Sequence, residues 1–280
     1  MRNNELEIIP LGTVSPYCYE DKNCPGFLIK YNDTKVLLDC GNGITRYLNI
    51  PDDLEDLTII ISHLHYDHYG DLNSIASSTK VLNRLGLISD KIKVYIPEDE
   101  KITVKAHYTD KDGWGAIRYV EKSIVDYDYI LSLEKNGHLE FETYYENEPL
   151  YINDLKISFC RNPHQVPTYS IKVEANDLSL VYSSDTGYKN NTLVKFSKDA
   201  NLLICESTYL KGQSRNTDDH LYAFEAAKIA KSANVDELLL THFWPNISKD
   251  KYVNEAKKFF ENTSASEENK KLVLRRKKYE

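Results

Sequence analysis

The sequence lacks a long apolar run and a regular pattern of cysteines. No apolar run approaches the roughly 20 residues that a membrane-spanning helix needs, and no apolar signal segment follows the polar residues 1–5. Reduced thiols are the default for a chain without an export signal. We therefore expect a cytoplasmic protein that does not engage a membrane. The scattered cysteines are Cys18, Cys24, Cys40, Cys160 and Cys205. Cys18 and Cys24 are expected to be ordinary thiols, with pairing as the alternative.

The chain also lacks a net positive charge and low-complexity segments. The chain has 280 residues, a formal net charge of −8 and 28% charged residues. Such an acidic chain is not built to wrap nucleic acid non-specifically, so a nucleic-acid substrate would need a local basic patch or a metal site. A hydrophobic fraction of 41% suffices for one large core or two modest ones. Since no repeat or flexible linker interrupts the chain, we expect one domain over residues 1–280.

The order of predicted elements favours an α/β fold. Two apolar stretches flank a turn at residues 32–34 and predict a β-hairpin, and strands alternate with helices after residue 200. Residues 80–150 form an insert whose structure the pattern does not define. Its aromatic side chains fit ordinary packing, a pocket wall or a homodimer surface; they include Tyr108, Trp114, Tyr119, Tyr127 and Tyr129. We assign His107 and His138 to the surface or to packing, with a contact of His107 to the functional site as the alternative.

The most informative stretch is a six-residue run that holds His63, His65, Asp67 and His68. It follows the β-branched, apolar residues 57–61, which predict a buried strand. Burying such side chains without partners would be costly, and a solvated loop has little use for three histidines. A bound metal ion accounts for all four side chains.

Three further residues follow predicted strands in the same way. His164, Asp185 and His242 each lie just past the end of an apolar strand, where side chains are expected to converge on one rim. Taken singly, each has an ordinary explanation: Asp185 caps its Asp-Thr-Gly turn, and the histidines form hydrogen bonds in loops. The joint pattern favours a metal centre.

This set of residues, in this order, resembles the metallo-β-lactamase superfamily. The turn at Asp39 and Gly41, upstream of the histidine run, is similar to a turn of the same family. The resemblance implies an αββα sandwich, in which two packed mixed sheets carry helices on their outer faces.

The resemblance also implies two metal ions. Asp185 would bridge them together with a water or hydroxide. The imidazole ligands suit zinc, and the carboxylates also admit manganese or iron. The implied ligands are His63, His65 and His164 for the first ion, and Asp67, His68 and His242 for the second.

Two residues beyond the ligands indicate one branch of the superfamily. Glu206 follows a predicted strand, and His220 opens the predicted helix 220–232, with Asp218 or Asp219 as its cap. Both are similar to residues of the ribonuclease Z and phosphodiesterase-like branch, where this histidine is not a ligand. The resemblance implies that His220 donates to the scissile phosphate or protonates the leaving oxygen, and that Glu206 orients it. A helix N-terminus would lower the pKa of His220 and suit a nearby anion; the alternative is a histidine that merely follows the cap. The implied catalytic residues are Asp67, Glu206 and His220.

The chain departs from ribonuclease Z in one respect. Ribonuclease Z carries a long arm that clamps tRNA between the positions matched by His164 and Asp185, and only twenty residues lie there in this sequence. The missing arm and the acidic charge argue against tRNA binding. We therefore expect a dinuclear metal-dependent hydrolase that acts on a small or cyclic phosphodiester. The alternatives are an ester, thioester or lactone hydrolase, an RNA-processing nuclease of the ribonuclease Z type, and a metal-binding sensor without catalysis.

Overall fold

Two seven-stranded sheets pack face to face in the computed structural model. It describes residues 5–109, 115–123, 127–189, 191–215 and 217–275 and, for residues 102–109, 115–120 and 136, the backbone alone. Trp114 and the side chains of His107, Tyr108 and Tyr119 therefore lie outside the described part, and so do the predictions made for them.

The strands of the described residues are numbered in chain order. They are β1 (Leu6–Gly12), β2 (Gly26–Tyr31), β3 (Thr34–Leu38), β4 (Leu57–Ile60), β5 (Ile92–Pro97), β6 (Lys101–Thr109), β7 (Gly115–Ser123), β8 (Leu139–Tyr144), β9 (Leu150–Ile152), β10 (Leu155–Arg161), β11 (Tyr169–Ala175), β12 (Leu178–Tyr182), β13 (Leu202–Glu206), β14 (Glu237–Thr241), β15 (Thr263–Ala265) and β16 (Leu272–Leu274). The helices are α1 (Tyr66–Tyr69), α2 (Leu72–Arg84), α3 (Tyr127–Asn136), α4 (Thr192–Phe196), α5 (Ala223–Ala233) and α6 (Lys249–Ala256), and a short 3-10 turn covers Ile44–Tyr47.

Each sheet is half antiparallel and half parallel. The first sheet has the order β16-β1-β2-β3-β4-β5-β8, and its strands run parallel from β3 to β8. The second has the order β15-β14-β13-β12-β11-β10-β9, and its strands run parallel from β15 to β12. Strands β6 and β7 form a separate antiparallel hairpin. The parallel strands β4 and β13 are buried along their whole length, as expected when both faces of a sheet are covered.

Three apolar layers hold the elements together. The first lies between the sheets and contains residues of both, such as Phe27 and Tyr182, whose ring centroids are 5.3 Å apart. The second joins the outer face of the first sheet to α2 and α3, and the third joins the outer face of the second sheet to α5 and α6. Helices therefore cover both outer faces, and the predicted αββα sandwich is confirmed. Within the described ranges, no helix combines the length and the apolar character that a membrane span requires.

The helix predicted over residues 220–232 is shifted in the structure. Helix α5 begins at Ala223, and its N-cap is Tyr222, whose backbone N–H donates to Glu225 Oε2 at 3.0 Å. The predicted caps Asp218 and Asp219 are therefore wrong. His220 precedes the helix, so the expected effect of the helix dipole on its pKa does not apply.

The insert at residues 80–150 is partly built into the first sheet. Strand β5 pairs with both β4 and β8, so two strands of the insert extend the parallel half of that sheet. Helix α3 packs beside α2 on its outer face, with Ile130 and Leu133 buried. The segment thus supplies sheet, a covering helix and the β6–β7 hairpin.

Candidate active site

The site lies at the edge of the sandwich where the parallel strands end. His63 and its neighbours follow β4, His164 follows β10, and Asp185 and His242 follow β12 and β14. The backbone turns sharply at the ends of β3, β12 and β14, where Asp39, Ser184 and His242 have φ angles of 60°, 50° and 62°. Left-handed backbone is uncommon for residues other than glycine, and such strain clusters at functional sites.

One group of nitrogen atoms gathers around His65. Its Nδ1 lies 3.1 Å from His63 Nε2 and 3.3 Å from His164 Nε2. Asp185 Oδ2 faces the same group, 3.7 Å from His63 Nε2 and 3.9 Å from His164 Nε2. These four side chains, which the sequence predicted as ligands of one ion, therefore present their ligand atoms to a common point.

A second group gathers on the other oxygen of Asp185. Its Oδ1 lies 3.0 Å from His242 Nε2 and 3.3 Å from His68 Nε2. Asp67 Oδ2 completes the group, 3.7 Å from His68 Nε2 and 3.9 Å from His242 Nε2. Because one oxygen of Asp185 faces each group, this carboxylate lies where a bridging ligand is expected.

The protonation of the histidines suits a cation. Burial and the nearby His68 hold the pKa of His63 well below its ordinary value, and burial and His164 lower the pKa of His65 to about 4. Burial also lowers the pKa of His68, but Asp185, Asp67 and Asp39 outweigh it and raise this pKa well above its ordinary value. The neutral imidazoles of His63 and His65 have lone pairs available for a cation. The carboxylates around His68 favour a positive charge at that position.

Three buried atoms at the centre make no hydrogen bond within the described residues: His68 Nε2, Asp185 Oδ1 and His242 Nε2. Leaving a buried polar atom unsatisfied costs about 1–3 kcal/mol. A cation bound among them would satisfy all three at once. The residues therefore fit a divalent metal, with an imidazole-rich donor set beside a mixed imidazole and carboxylate set.

His220 lies against these groups and is held by Glu206. Its Nδ1 is 3.0 Å from Glu206 Oε1, and its ring stacks on His242 with centroids 5.3 Å apart. Burial lowers the pKa of His220, but the buried carboxylate of Glu206 outweighs it and raises this pKa to about 9. Asp185, His220 and His242 are also close enough to hold an ion, but the bond to Glu206 occupies Nδ1 of His220.

The loop that carries His220 is fixed by residues that the sequence did not reveal as functional. Arg215 Nη1 donates to the His220 carbonyl at 3.0 Å and to Glu225 Oε2 at 2.7 Å. Gly187 lies so close to the loop that an added Cβ would be 1.6 Å from the Asp218 carbonyl oxygen. The glycine after Asp185-Thr186 is a sequence signal that could have indicated this close approach.

A hydroxyl supports the second group from outside. Ser15 Oγ donates to Asp67 Oδ2 at 2.7 Å, and Ser15 N–H donates to the Phe243 carbonyl at 3.1 Å. Ser15 lies 52 positions before Asp67 in the chain, in a loop of turn residues, and nothing in the sequence pattern distinguishes it from its neighbours.

The fold and the site together define a metallo-β-lactamase-fold hydrolase of the superfamily that includes ribonuclease Z, as the sequence predicted. A family profile described as "Anti-Pycsar protein Apyc1" matches residues 6–265, and the chain belongs to this family.

Similar proteins agree with this assignment. "Probable metallo-hydrolase YhfI" of Bacillus subtilis (strain 168) is 26% identical over 244 residues, which cover 85% of this chain and 86% of that protein. "Ribonuclease Z" of Clostridium acetobutylicum is 30% identical over 305 residues, and the alignment covers 96% of this chain and 98% of that protein. The crystal structure of YhfI has a TM-score of 0.81 at 23% identity, covering 96% of this chain and all of that one, so the fold is shared.

Proposed function

We propose that this chain is a dinuclear metal-dependent hydrolase whose substrate is a small or cyclic phosphodiester. The observation that carries the proposal is the pair of His220 and Glu206, whose Nδ1 and Oε1 atoms are 3.0 Å apart, beside two metal-binding groups that share Asp185. A phosphodiester brings a negative charge that increases on attack, and a cationic histidine fixed at that point stabilises it. A neutral ester or lactone needs such a charge less.

The ligand assignment follows the two groups of atoms. When bound, two divalent cations would supply an activated water and positive charge for the phosphoryl oxygens. We assign Asp185 to both cations because each of its oxygens faces one group. Zinc suits the imidazole-rich group, and the carboxylate in the other also admits manganese or iron. The first group is His63, His65 and His164, and the second is Asp67, His68 and His242.

His220 acts as the acid for the leaving oxygen. Its pKa is raised to about 9 against the effect of burial, mainly by Glu206, and this favours the protonated imidazole. Glu206 accepts the Nδ1–H bond and leaves Nε2 to face the substrate. A positioned acid of this kind contributes about 10²–10⁴-fold to a rate.

A small substrate fits the chain better than tRNA. The twenty residues between His164 and Asp185 contain β11, β12 and short connections, and both strands pair within the second sheet. The formal net charge of −8 also opposes a large polyanion. RNA processing remains a second candidate because "Ribonuclease Z" of Clostridium acetobutylicum is 30% identical over nearly the whole chain.

A substrate panel with matched variants tests the proposal. The metal-loaded protein is assayed on a p-nitrophenyl phosphodiester, cyclic phosphodiesters, a p-nitrophenyl ester, a thioester, a lactone and a precursor tRNA. We expect turnover of the small phosphodiesters. We also expect His220→Ala to lower it about 10²–10⁴-fold while the metal content stays at two ions per chain.

His138→Ala is the matched control. His138 precedes β8 at the opposite edge of the first sheet, where its Nε2 bonds to the Ser89 carbonyl, and its loss should leave turnover unchanged. Full activity of the His220→Ala variant would refute the assigned mechanism. Turnover confined to esters, thioesters or lactones, or to precursor tRNA, would select that alternative, and no turnover with both ions bound would favour a sensor.

A further inference from the structure

Two fully buried carboxylates outside the metal-binding groups each hold one histidine directly. Asp39 Oδ2 lies 2.7 Å from His68 Nδ1, and Glu206 Oε1 lies 3.0 Å from His220 Nδ1. Each of these carboxylates also reaches a second histidine of the site through a hydroxyl group, Ser62 in one case and Thr208 in the other.

At Thr208 the single hydroxyl proton determines the direction of the bonds. Glu206 accepts on both oxygens: Oε2 receives the N–H of Leu221 at 3.1 Å and the Oγ1–H of Thr208 at 2.9 Å. With its proton used in that bond, Thr208 Oγ1 can only accept at its other partner, His242 Nδ1, 2.8 Å away. His242 therefore carries its proton on Nδ1, and the lone pair of Nε2 faces Asp185.

At Ser62 the same count gives the same result. Its Oγ–H donates to Asp39 Oδ2 at 2.8 Å, and it accepts the hydroxyl of Ser184 at 2.6 Å. The remaining partner is His63 Nδ1 at 3.1 Å. It must donate, because the proton of Ser184, whose Oγ is 3.4 Å from the same nitrogen, is used in the shorter bond to Ser62. His63 Nε2 is left with its lone pair toward His65 and Asp185.

We infer that Ser62 and Thr208 are positioning residues, each of which relays a buried carboxylate to a histidine of the metal centre. The inference rests on the proposed metal assignment. A hydrogen bond from the outer ring nitrogen fixes the tautomer and the ring orientation and raises the basicity of the nitrogen that binds the metal. Glu206 thereby orients both the acid His220 and, through Thr208, the ligand His242.

A positioning role and a purely structural role of these hydroxyls predict different results. A hydroxyl needed only for stability would lower the melting temperature when removed and leave the metal affinity of the folded protein unchanged. Loss of a relay instead lowers the affinity of the folded protein for one of the two ions. Ser62 contacts His63 of the first group, and Thr208 contacts His242 of the second. Removing the two hydroxyls should therefore lower the affinities for different ions.

The experiment is a titration of the metal-free protein with Zn²⁺ against a competing chelator. We expect Thr208→Val, which keeps the side-chain shape without the hydroxyl, to weaken one of two binding steps about 10–100-fold. Thr208→Ser should restore most of that affinity. Ser62→Ala should also weaken one step, and the double variant should weaken both. The inference is wrong if Thr208→Val binds both ions like the wild type, if serine fails to rescue it, or if the double variant weakens one step only.

A second measurement needs no substitution. In the zinc-loaded wild type with ¹⁵N-labelled histidine, two-bond ¹H–¹⁵N spectra report the tautomer of each ring. We expect His63 and His242 to carry the proton on Nδ1; a proton on Nε2 in either ring overturns the inference. Neither readout involves a substrate. Two bound ions with these tautomers but no phosphodiester turnover would therefore refute the proposed function and leave the relays standing.

Discussion

The close approach of Gly187 to the loop before His220 supports a sharp prediction. Gly187 N–H donates to the Pro163 carbonyl at 3.0 Å, and a Cβ at this position would lie 1.6 Å from the Asp218 carbonyl oxygen and 2.7 Å from its carbon. Ordinary contact begins near 3.4 Å. Alanine therefore forces the backbone at Asp218 outward by most of 2 Å, and His220 is only two residues further along.

The expected consequence is a selective loss of catalysis. A misplacement of about 1 Å at a catalytic group can cost about 10²-fold in rate, so Gly187→Ala should lower kcat on a small phosphodiester by about that factor or more. The backbone of Gly187 does not adopt a positive φ. Alanine at this position therefore adds no backbone strain to the steric clash. Metal content under saturating Zn²⁺ should stay at the wild-type level, because none of the assigned ligands is replaced.

The assay compares kcat, metal content and melting temperature in Gly187→Ala and in Gly212→Ala. Gly212 has φ 94° and nothing near its would-be Cβ, so alanine there introduces backbone strain of about 1–3 kcal/mol without a clash. That control should melt lower but keep its kcat. A Gly187→Ala variant with kcat close to the wild type would refute the idea that this contact positions His220.

Two further predictions concern charge. In Glu206→Gln the pKa of His220 should fall from about 9 toward its ordinary value. Because the acid acts only when protonated, the alkaline limb of the pH profile of kcat should move to lower pH. An unmoved limb would contradict the role of Glu206. Removing metal with a chelator should lower the melting temperature, and adding Zn²⁺ should restore it. An ion that binds only the folded chain stabilises it by about 4 kcal/mol when its free concentration is about 1,000 times its Kd. Equal melting temperatures in calorimetry would argue against a buried metal centre.

The sequence predicted the parts of the site that depend on residue type. The chain has only 8 histidines, and the place of His63, His164 and Asp185 after apolar strands is visible without a structure, so these three could be named together. The supporting residues could not. Ser62 and Thr208 are ordinary hydroxyl residues whose roles depend on which side chain lies opposite, and that is decided by how two sheets pack.

The start of helix α5 shows how tertiary contacts override a local signal. Asp218 and Asp219 are good cap residues, but Asp218 is engaged with Arg215 and Lys189, at 3.2 Å in each case. Its carbonyl also lies against Gly187. The chain therefore continues through a turn and a bend at residues 217–220, and the helix begins only after Tyr222. That delay is what leaves His220 outside the helix and beside Glu206.

The carboxylates of the site divide into two kinds, and the division bears on how the protein folds. Asp39 and Glu206 are surrounded by N–H and O–H donors of the chain itself, so their burial is already compensated. Asp185 Oδ1 has no such donor within the described residues. Folding can therefore complete around the two outer carboxylates before any ion binds, with the residual cost at the unsatisfied atoms of His68, Asp185 and His242. We accordingly expect a folded but less stable metal-free protein, in which the histidines are already oriented for the cation that the inner carboxylate lacks.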